Sequence, residues 1–194
     1  MVAQKDLGNE KYRKNQFDEA IRVYKNANQL ARKLNDKEMS AILHFNMAMT
    51  YFRLGSYDQA ADECANAVKI NDNYFKAHLK RAEIYQRQRK FEEAVIVYEH
   101  ICELDSSNQD YAILLNHAKE AAKQTRKKDY HQMLGLDPKF TREDLKRAYR
   151  KSALTHHPDR HSDADIVTRR IQEKRFKEAS EAHTYFQLRH GRYN

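Results

Sequence analysis

The sequence predicts an all-α protein, in which a stack of repeated helical hairpins is followed by a small helical domain. The 194 residues include only 4 Gly and 2 Pro, too few turn-forming residues for a sheet-rich fold. Both prolines, Pro138 and Pro158, fall in the last third, so the preceding chain can form uninterrupted helix pairs. A pattern of small and aromatic residues also recurs along residues 1–108.

The repeat becomes visible when the first two thirds of the chain are compared with themselves. Residues of the first unit recur 40 residues later, and again 34 residues after that: Gly8, Ala20 and Tyr24, then Ala48, Ala60 and Cys64, then Ala82, Ala94 and Tyr98. Each unit indicates two helices that cross closely at the small residues, and about three such hairpins must stack to bury their apolar faces. We predict units at about 1–34, 41–74 and 75–108, with a six-residue insertion after the first.

Residues 109–128 continue the helical pattern beyond the third unit. Their apolar positions form one stripe: Tyr111, Leu114, Leu115, Ala118 and Ala122. We expect a helix that caps the stack and links it to the last third of the chain.

The last third, residues 129–194, begins with a short helix and a second, basic helix. Gly135 is a stop signal for the first of them, and Pro138 follows it. Thr141 is the predicted N-cap of the second helix, which we expect to end at about Thr155. The surface of this helix opposite its apolar stripe carries five cations: Arg142, Lys146, Arg147, Arg150 and Lys151.

The tripeptide His157-Pro158-Asp159 follows the basic helix. Pro158 disfavours helical backbone at His157, so a loop is predicted there. We expect a polar loop over 162–168 and a third, amphipathic helix over about 169–188. The tripeptide then lies at the connection between two antiparallel helices, which suits either a docking point or a reactive site.

The surroundings of the tripeptide favour docking. A general base needs a cleft and a partner within hydrogen-bond reach, and a loop tip offers little cleft for His157 with Asp159, Ser152 or Ser162. A metal site would use three nearby histidines: His156, His157 and His161. Because the helix breaks before them, they lack the spacing of ligands on one helix face. We expect no enzymatic activity, no metal and no cofactor.

Composition narrows the partners. The net charge of +8 divides evenly, since residues 1–128 carry 22 basic and 18 acidic side chains and residues 129–194 carry 14 and 10. This balance favours acidic partners reached through local patches. Without a binding motif that interleaves stacking aromatics, we expect no nucleic-acid partner. No 18-residue apolar run and no signal-peptide core are visible, so we expect no membrane partner and a cytoplasmic protein, with the nucleus as a second location.

Five polar residues of the repeats are predicted to share one groove, because the first helices of stacked hairpins line the concave side. Lys5 and Asn9 are four apart on one helix face, as are Lys76 and Lys80, and Asn46 lies in the first helix of the second unit. Three cations and two amides in one groove would bind carboxylates.

These patterns resemble two known families. The repeats are similar to tetratricopeptide repeats, although Asp72 and Ser106 stand where that family usually has Pro. The last third looks like a J domain, the module of the DnaJ (heat shock protein 40) family. The matching segments are Asp129-Tyr130, Leu134-Gly135, 146–154, His157-Pro158-Asp159 and 175–178.

The resemblance implies a co-chaperone. In that family the basic helix, here residues 141–155, docks on a heat shock protein 70 (DnaK-type) chaperone, and the His-Pro-Asp tripeptide stimulates its ATP hydrolysis. The five groove residues look like the carboxylate clamp that grips the C-terminal Glu-Glu-Val-Asp of heat shock proteins 70 and 90, with Lys80 where Arg is usual. The alternative is a repeat scaffold whose C-terminal helical domain is passive.

Overall fold

The computed structural model describes residues 2–125 and 129–190, and every regular element in these two ranges is helical, which confirms the all-α fold class. The chain forms two compact units, residues 1–124 and 125–194. The expected linker and C-terminal domain also include residues 126–128 and 191–194, which lie outside the described residues. None of the described helices is long and apolar enough to cross a membrane.

The first unit consists of three helical hairpins and a following helix. Its helices, in chain order, are α1 (Val2–Arg13), α2 (Phe17–Lys33), α3 (Lys37–Arg53), α4 (Tyr57–Ile70), α5 (Phe75–Arg87), α6 (Phe91–Leu104) and α7 (Gln109–Thr125). From α1 to α6 each helix packs against the next one in the chain. One apolar core runs from α2 through α4 to Ile84 of α5.

Small residues allow the two helices of each hairpin to approach closely. Gly8 of α1 is buried against the ring of Tyr24, which is itself only 2% exposed. In the later hairpins the equivalent positions are fully buried alanines: Ala48, Ala60, Ala82 and Ala94. The spacing of small residues therefore marks the places where these helices are closest.

The six extra residues lengthen two helices instead of forming a loop. Helices α2 and α3 have 17 residues each, whereas the other hairpin helices have 12 to 14. The first helix of the second hairpin consequently begins at Lys37, four residues before the approximate repeat boundary at 41. The reason is a local cap, since the Asp36 side chain accepts a hydrogen bond from the Met39 backbone N–H at 2.9 Å.

Helix α7 covers the third hairpin with a shallow face. Ala118 is fully buried, and the Tyr111 ring stacks on Phe75 of α5 with ring centroids 5.7 Å apart. Lys119 pairs with Glu99 of α6 at 3.1 Å. The other members of the predicted stripe are only half-buried.

The second unit packs α8 (Tyr130–Leu134), α9 (Arg142–His156) and α10 (Ile166–His190) around a small apolar core. The core residues come from all three helices: Leu134, Leu145, Ala179, Ala182 and Phe186. Gly135 ends α8 in the left-handed conformation, with φ of 63°. Thr141 and Asp144 form a reciprocal capping box at the start of α9.

Helix α10 begins earlier than the sequence pattern indicated. Asp165 Oδ1 accepts hydrogen bonds from the backbone N–H groups of Val167 at 3.0 Å and Thr168 at 3.1 Å. Val167 is fully buried, so its burial and the Asp165 cap hold the first turn in place. The polar loop expected over 162–168 therefore ends at residue 165.

Replacing Gly8 with Ala should destabilise the chain by about 1–3 kcal/mol, the usual cost of overpacking. An added Cβ would lie 2.6 Å from Tyr24 Cδ1 and closer still to Cε1. Urea unfolding followed by circular dichroism measures the change. Combining Gly8→Ala with Tyr24→Leu removes the clash, so the double variant should lose less stability than the sum of the two single changes. Strict additivity would contradict this account of the contact.

Candidate functional site

The tripeptide lies where α9 ends and a short 3-10 turn, Pro158–His161, begins. His157 leaves the helical conformation, with ψ of 132°, and Pro158 is the first residue of the turn. The backbone N–H of Asp159 donates to His157 Nδ1 at 3.3 Å. This bond and the proline ring hold the three residues in one local conformation.

Arg160 and His161, which follow the tripeptide, bind the turn to the end of α9. Arg160 Nη1 donates to the Leu154 carbonyl at 3.2 Å, and His161 Nε2 donates to the Thr155 carbonyl at 2.9 Å. Both bonds satisfy carbonyls of the last turn of α9 that lack a helical partner. This role of Arg160 and His161 was not predicted from the sequence, although cationic side chains near a helix C-terminus are a usable signal for it.

The functional groups of the tripeptide face solvent. The side chain of His157 is 47% exposed and that of Asp159 is 89% exposed. Beneath them, His156 Nδ1 lies 2.6 Å from Gln172 Oε1 of α10, and the His157 ring meets the Phe176 ring edge-on at 5.8 Å. The tripeptide is thus an exposed, rigidly supported protrusion.

The basic helix α9 has two distinct faces. Leu145 is buried in the core of the unit, while all five predicted cations are exposed: Arg142, Lys146, Arg147, Arg150 and Lys151. None of these cations forms an ion pair with a carboxylate in the described part of the chain. The five cations therefore lie on the exposed surface of α9, the helix that leads into the tripeptide, with Asp144 close enough to Arg147 for the two charges to interact.

The two amides predicted for the groove come into contact. Asn9 Oδ1 accepts hydrogen bonds from Asn46 Nδ2 at 3.3 Å and from the Tyr24 hydroxyl at 2.8 Å. Burial raises the pKa of Tyr24 to about 12, so its hydroxyl keeps the hydrogen that it donates. Tyr24 is a positioning residue that the sequence analysis assigned only to packing.

The three predicted lysines lie on the first helices of their hairpins, Lys5 on α1 and Lys76 and Lys80 on α5, but they differ in their ion-pair partners. Lys80 Nζ is 2.6 Å from Glu83 Oε2 and 4.6 Å from the centre of the Phe52 ring. Lys5 has a weaker contact with Asp6, at 3.7 Å. Lys76 is exposed and has no ion pair within the described ranges.

No hydrogen bond joins the three lysines, Lys5, Lys76 and Lys80, to the two amides in the part of the chain that the structure describes. Arg81, next to Lys80, is 2% exposed and donates to the Tyr85 hydroxyl at 3.2 Å. It is therefore buried away from solvent and cannot supply the usual arginine of the groove.

Comparison with known proteins supports both halves of the chain. A tetratricopeptide repeat family model matches residues 5–75 and 45–109, and a DnaJ domain model matches residues 129–192. Human DnaJ homolog subfamily C member 7 is 37% identical over 184 residues, which cover 95% of this chain and 37% of that protein. The DnaJ homolog subfamily C member 7 homolog of Dictyostelium discoideum is 32% identical, and the match covers 94% of this chain and 33% of the Dictyostelium protein. The chain thus spans about a third of the length of these relatives.

A solved structure resembles the repeat unit. The first tetratricopeptide-repeat domain of Spaghetti (RPAP3), bound to the Hsp90 peptide SRMEEVD, is 29% identical with a TM-score of 0.51. The match covers 63% of this chain and 94% of that domain. With three helical hairpins matched by the repeat model and a C-terminal unit matched by the DnaJ model, the chain belongs to the tetratricopeptide-repeat family and carries a J domain behind its repeats.

Proposed function

We propose that this chain is a co-chaperone whose J domain stimulates ATP hydrolysis by a heat shock protein 70. The single observation that carries the proposal is the exposed His157-Pro158-Asp159 at the end of a helix whose outer face is cationic. Such a protrusion can insert into the surface of another protein, and it offers no enclosed site for chemistry of its own. A cytoplasmic location fits this function.

The cations of α9 would promote the first encounter with the chaperone. Five exposed positive side chains, none of them in an ion pair with a carboxylate of the described residues, attract an acidic surface over one Debye length, roughly 8–10 Å at physiological salt. Contacts of this kind mainly raise the association rate. The helix would therefore orient the partner before the tripeptide engages.

The tripeptide supplies the specific contact. Pro158 restricts the backbone, while Arg160 and His161 fasten the turn to α9. Because the tripeptide is ordered before binding, less conformational entropy is lost when it docks. His157 and Asp159 then present a ring nitrogen and a carboxylate to the partner at a defined spacing.

We also propose that the groove binds a C-terminal Glu-Glu-Val-Asp tail, in the manner of a carboxylate clamp. Support comes from the similar RPAP3 domain, whose bound peptide ends in these four residues. Asn9 and Asn46 are already in contact, and Lys76 is exposed for a ligand carboxylate. The tail of heat shock protein 70 or 90 has the required chemistry. A passive scaffold, the alternative, would bind the tail but leave the ATPase rate unchanged.

Replacing His157 with Gln should abolish stimulation of single-turnover ATP hydrolysis by a heat shock protein 70. The side chain is half-exposed, so the variant should keep its fold, which circular dichroism can verify. His117→Gln, at an exposed histidine of α7, is the matched control and should stimulate normally. Full stimulation by a folded His157→Gln variant would refute the proposed role of the tripeptide.

Reversing Lys146, Arg147 and Arg150 to Glu should slow association with the chaperone, with a smaller change in dissociation, because these charges steer the encounter. Stopped-flow binding at two salt concentrations measures both rates. Reversal of three exposed cations of the repeat unit, Arg22, Lys25 and Lys69, changes the net charge equally and should have little effect. An effect confined to dissociation would argue against steering.

Replacing Lys76 with Ala should weaken binding of a Glu-Glu-Val-Asp peptide about tenfold or more, the loss expected for one charged hydrogen bond. Lys80→Ala should cost less, because Lys80 is already paired with Glu83. Calorimetry measures both, with Lys69→Ala on α4 as the control outside the groove. Equal affinity for the peptide and its C-terminal amide would contradict the clamp.

A further inference from the structure

A cluster of two histidines and one aspartate lies in the third hairpin and the turn that precedes it, apart from the groove residues. Asp72 is in the turn between α4 and α5, His78 is on α5 and His100 is on α6. One ligand atom of each residue lies within 4.8 Å of the other two, and both histidines are buried. It is the one group of this kind found in the described ranges.

The hydrogen bonds of the cluster leave part of each imidazole unsatisfied. His78 Nε2 lies 2.9 Å from the Asp72 carbonyl oxygen, and His100 Nε2 lies 3.0 Å from Asp72 Oδ1. Because both oxygens are acceptors, each Nε2 carries the ring hydrogen. The two Nδ1 atoms are buried without a hydrogen-bond partner among the described residues, which is uncommon for buried polar atoms, and that of His100 lies 3.5 Å from Glu103 Oε2.

Two of the three separations between ligand atoms are close to those of a metal site, and the third is no longer than 4.8 Å. Bond lengths of tetrahedral zinc place neighbouring ligand atoms about 3.3 to 3.5 Å apart. Asp72 Oδ1 lies 3.5 Å from His78 Nε2 and 3.0 Å from His100 Nε2. The side chain of Asp72 is 49% exposed, so an ion and a water ligand can enter from solvent.

We propose that Asp72, His78 and His100 bind a divalent transition-metal ion with the chemistry of zinc. The ligand atoms are one carboxylate oxygen and two imidazole Nε2 atoms, with water completing the tetrahedron. Binding moves each ring hydrogen from Nε2 to Nδ1, so the imidazoles stay neutral. The His100 Nδ1–H would then face Glu103 Oε2, now 3.5 Å away, as an orienting carboxylate.

The position of the site gives the ion a structural role. It would join α6 to the start of α5, the helix that also carries Lys76 and Lys80 of the groove. His78 is two residues from each lysine, which places it about 160–200° away around the helix. The bound ion would therefore stabilise the third hairpin without entering the groove.

Titration of the full chain with zinc chloride alone tests the site. Calorimetry should show one tight equivalent that Asp72→Asn and His100→Gln weaken about tenfold or more, while His117→Gln retains it. Zinc should raise the thermal unfolding midpoint of the parent and of His117→Gln, and not that of the two cluster variants. Cobalt substitution should give the visible absorption bands of a tetrahedral site in the parent and in His117→Gln, and not in the two cluster variants.

The inference is overturned if Asp72→Asn binds zinc as tightly as the parent, or if the parent shows no saturable binding. Either result would mean that the two histidines only cap the turn through hydrogen bonds to Asp72. Circular dichroism checks that each variant is folded. Should His100→Gln unfold, Asp72→Asn still decides the matter, because its side chain is half-exposed and its amide retains an acceptor oxygen.

Discussion

The close approach of paired helices is the constraint on which the repeat unit depends. At each crossing the two helices meet through residues with little or no side chain, Gly8 in the first hairpin and buried alanines in the others. In the first hairpin this contact also presses Tyr24 against Gly8, and the Tyr24 hydroxyl holds Asn9 in contact with Asn46. One steric requirement therefore shapes both the stack and the Asn9–Asn46 contact of the proposed groove. A larger residue at this crossing would disturb the two together.

The J domain is under a different constraint, because its small apolar core must support the exposed His157-Pro158-Asp159. Leu145 anchors α9 to the core, and the opposite face of the helix remains free for five cations. The tripeptide itself contributes little to the core. It is held by local bonds from Arg160 and His161 to the last turn of α9 and by the His156–Gln172 contact with α10. The tripeptide is therefore held rigid by hydrogen bonds that satisfy the carbonyl groups at the end of α9, while its own side chains remain exposed.

Much of this structure follows from local sequence signals, and the exceptions depend on tertiary contacts that those signals do not contain. Gly135, Thr141 and Pro158 each impose a backbone conformation that needs no knowledge of distant residues, so the ends of α8 and α9 could be predicted. The placement of the six extra residues and the start of α10 could not be predicted in this way. Both depend on a capping side chain at the start of a helix and on the burial of the residues that follow it. The Lys80–Glu83 pair and the meeting of His78 with His100 depend on side-chain directions that spacing alone leaves open.

Glu83, which forms an ion pair with Lys80, would compete with a ligand carboxylate for this lysine of the proposed groove. In the proposed clamp, an incoming carboxylate must displace Glu83, which is held on the same helix three residues away and never diffuses off. A ligand with one carboxylate gains little from that exchange. A ligand that reaches Lys76 and the Asn9–Asn46 pair at the same time is repaid by further contacts. The pair would thus act as a threshold that discriminates against isolated acidic side chains, which are abundant on protein surfaces, in favour of a chain end with several carboxylates.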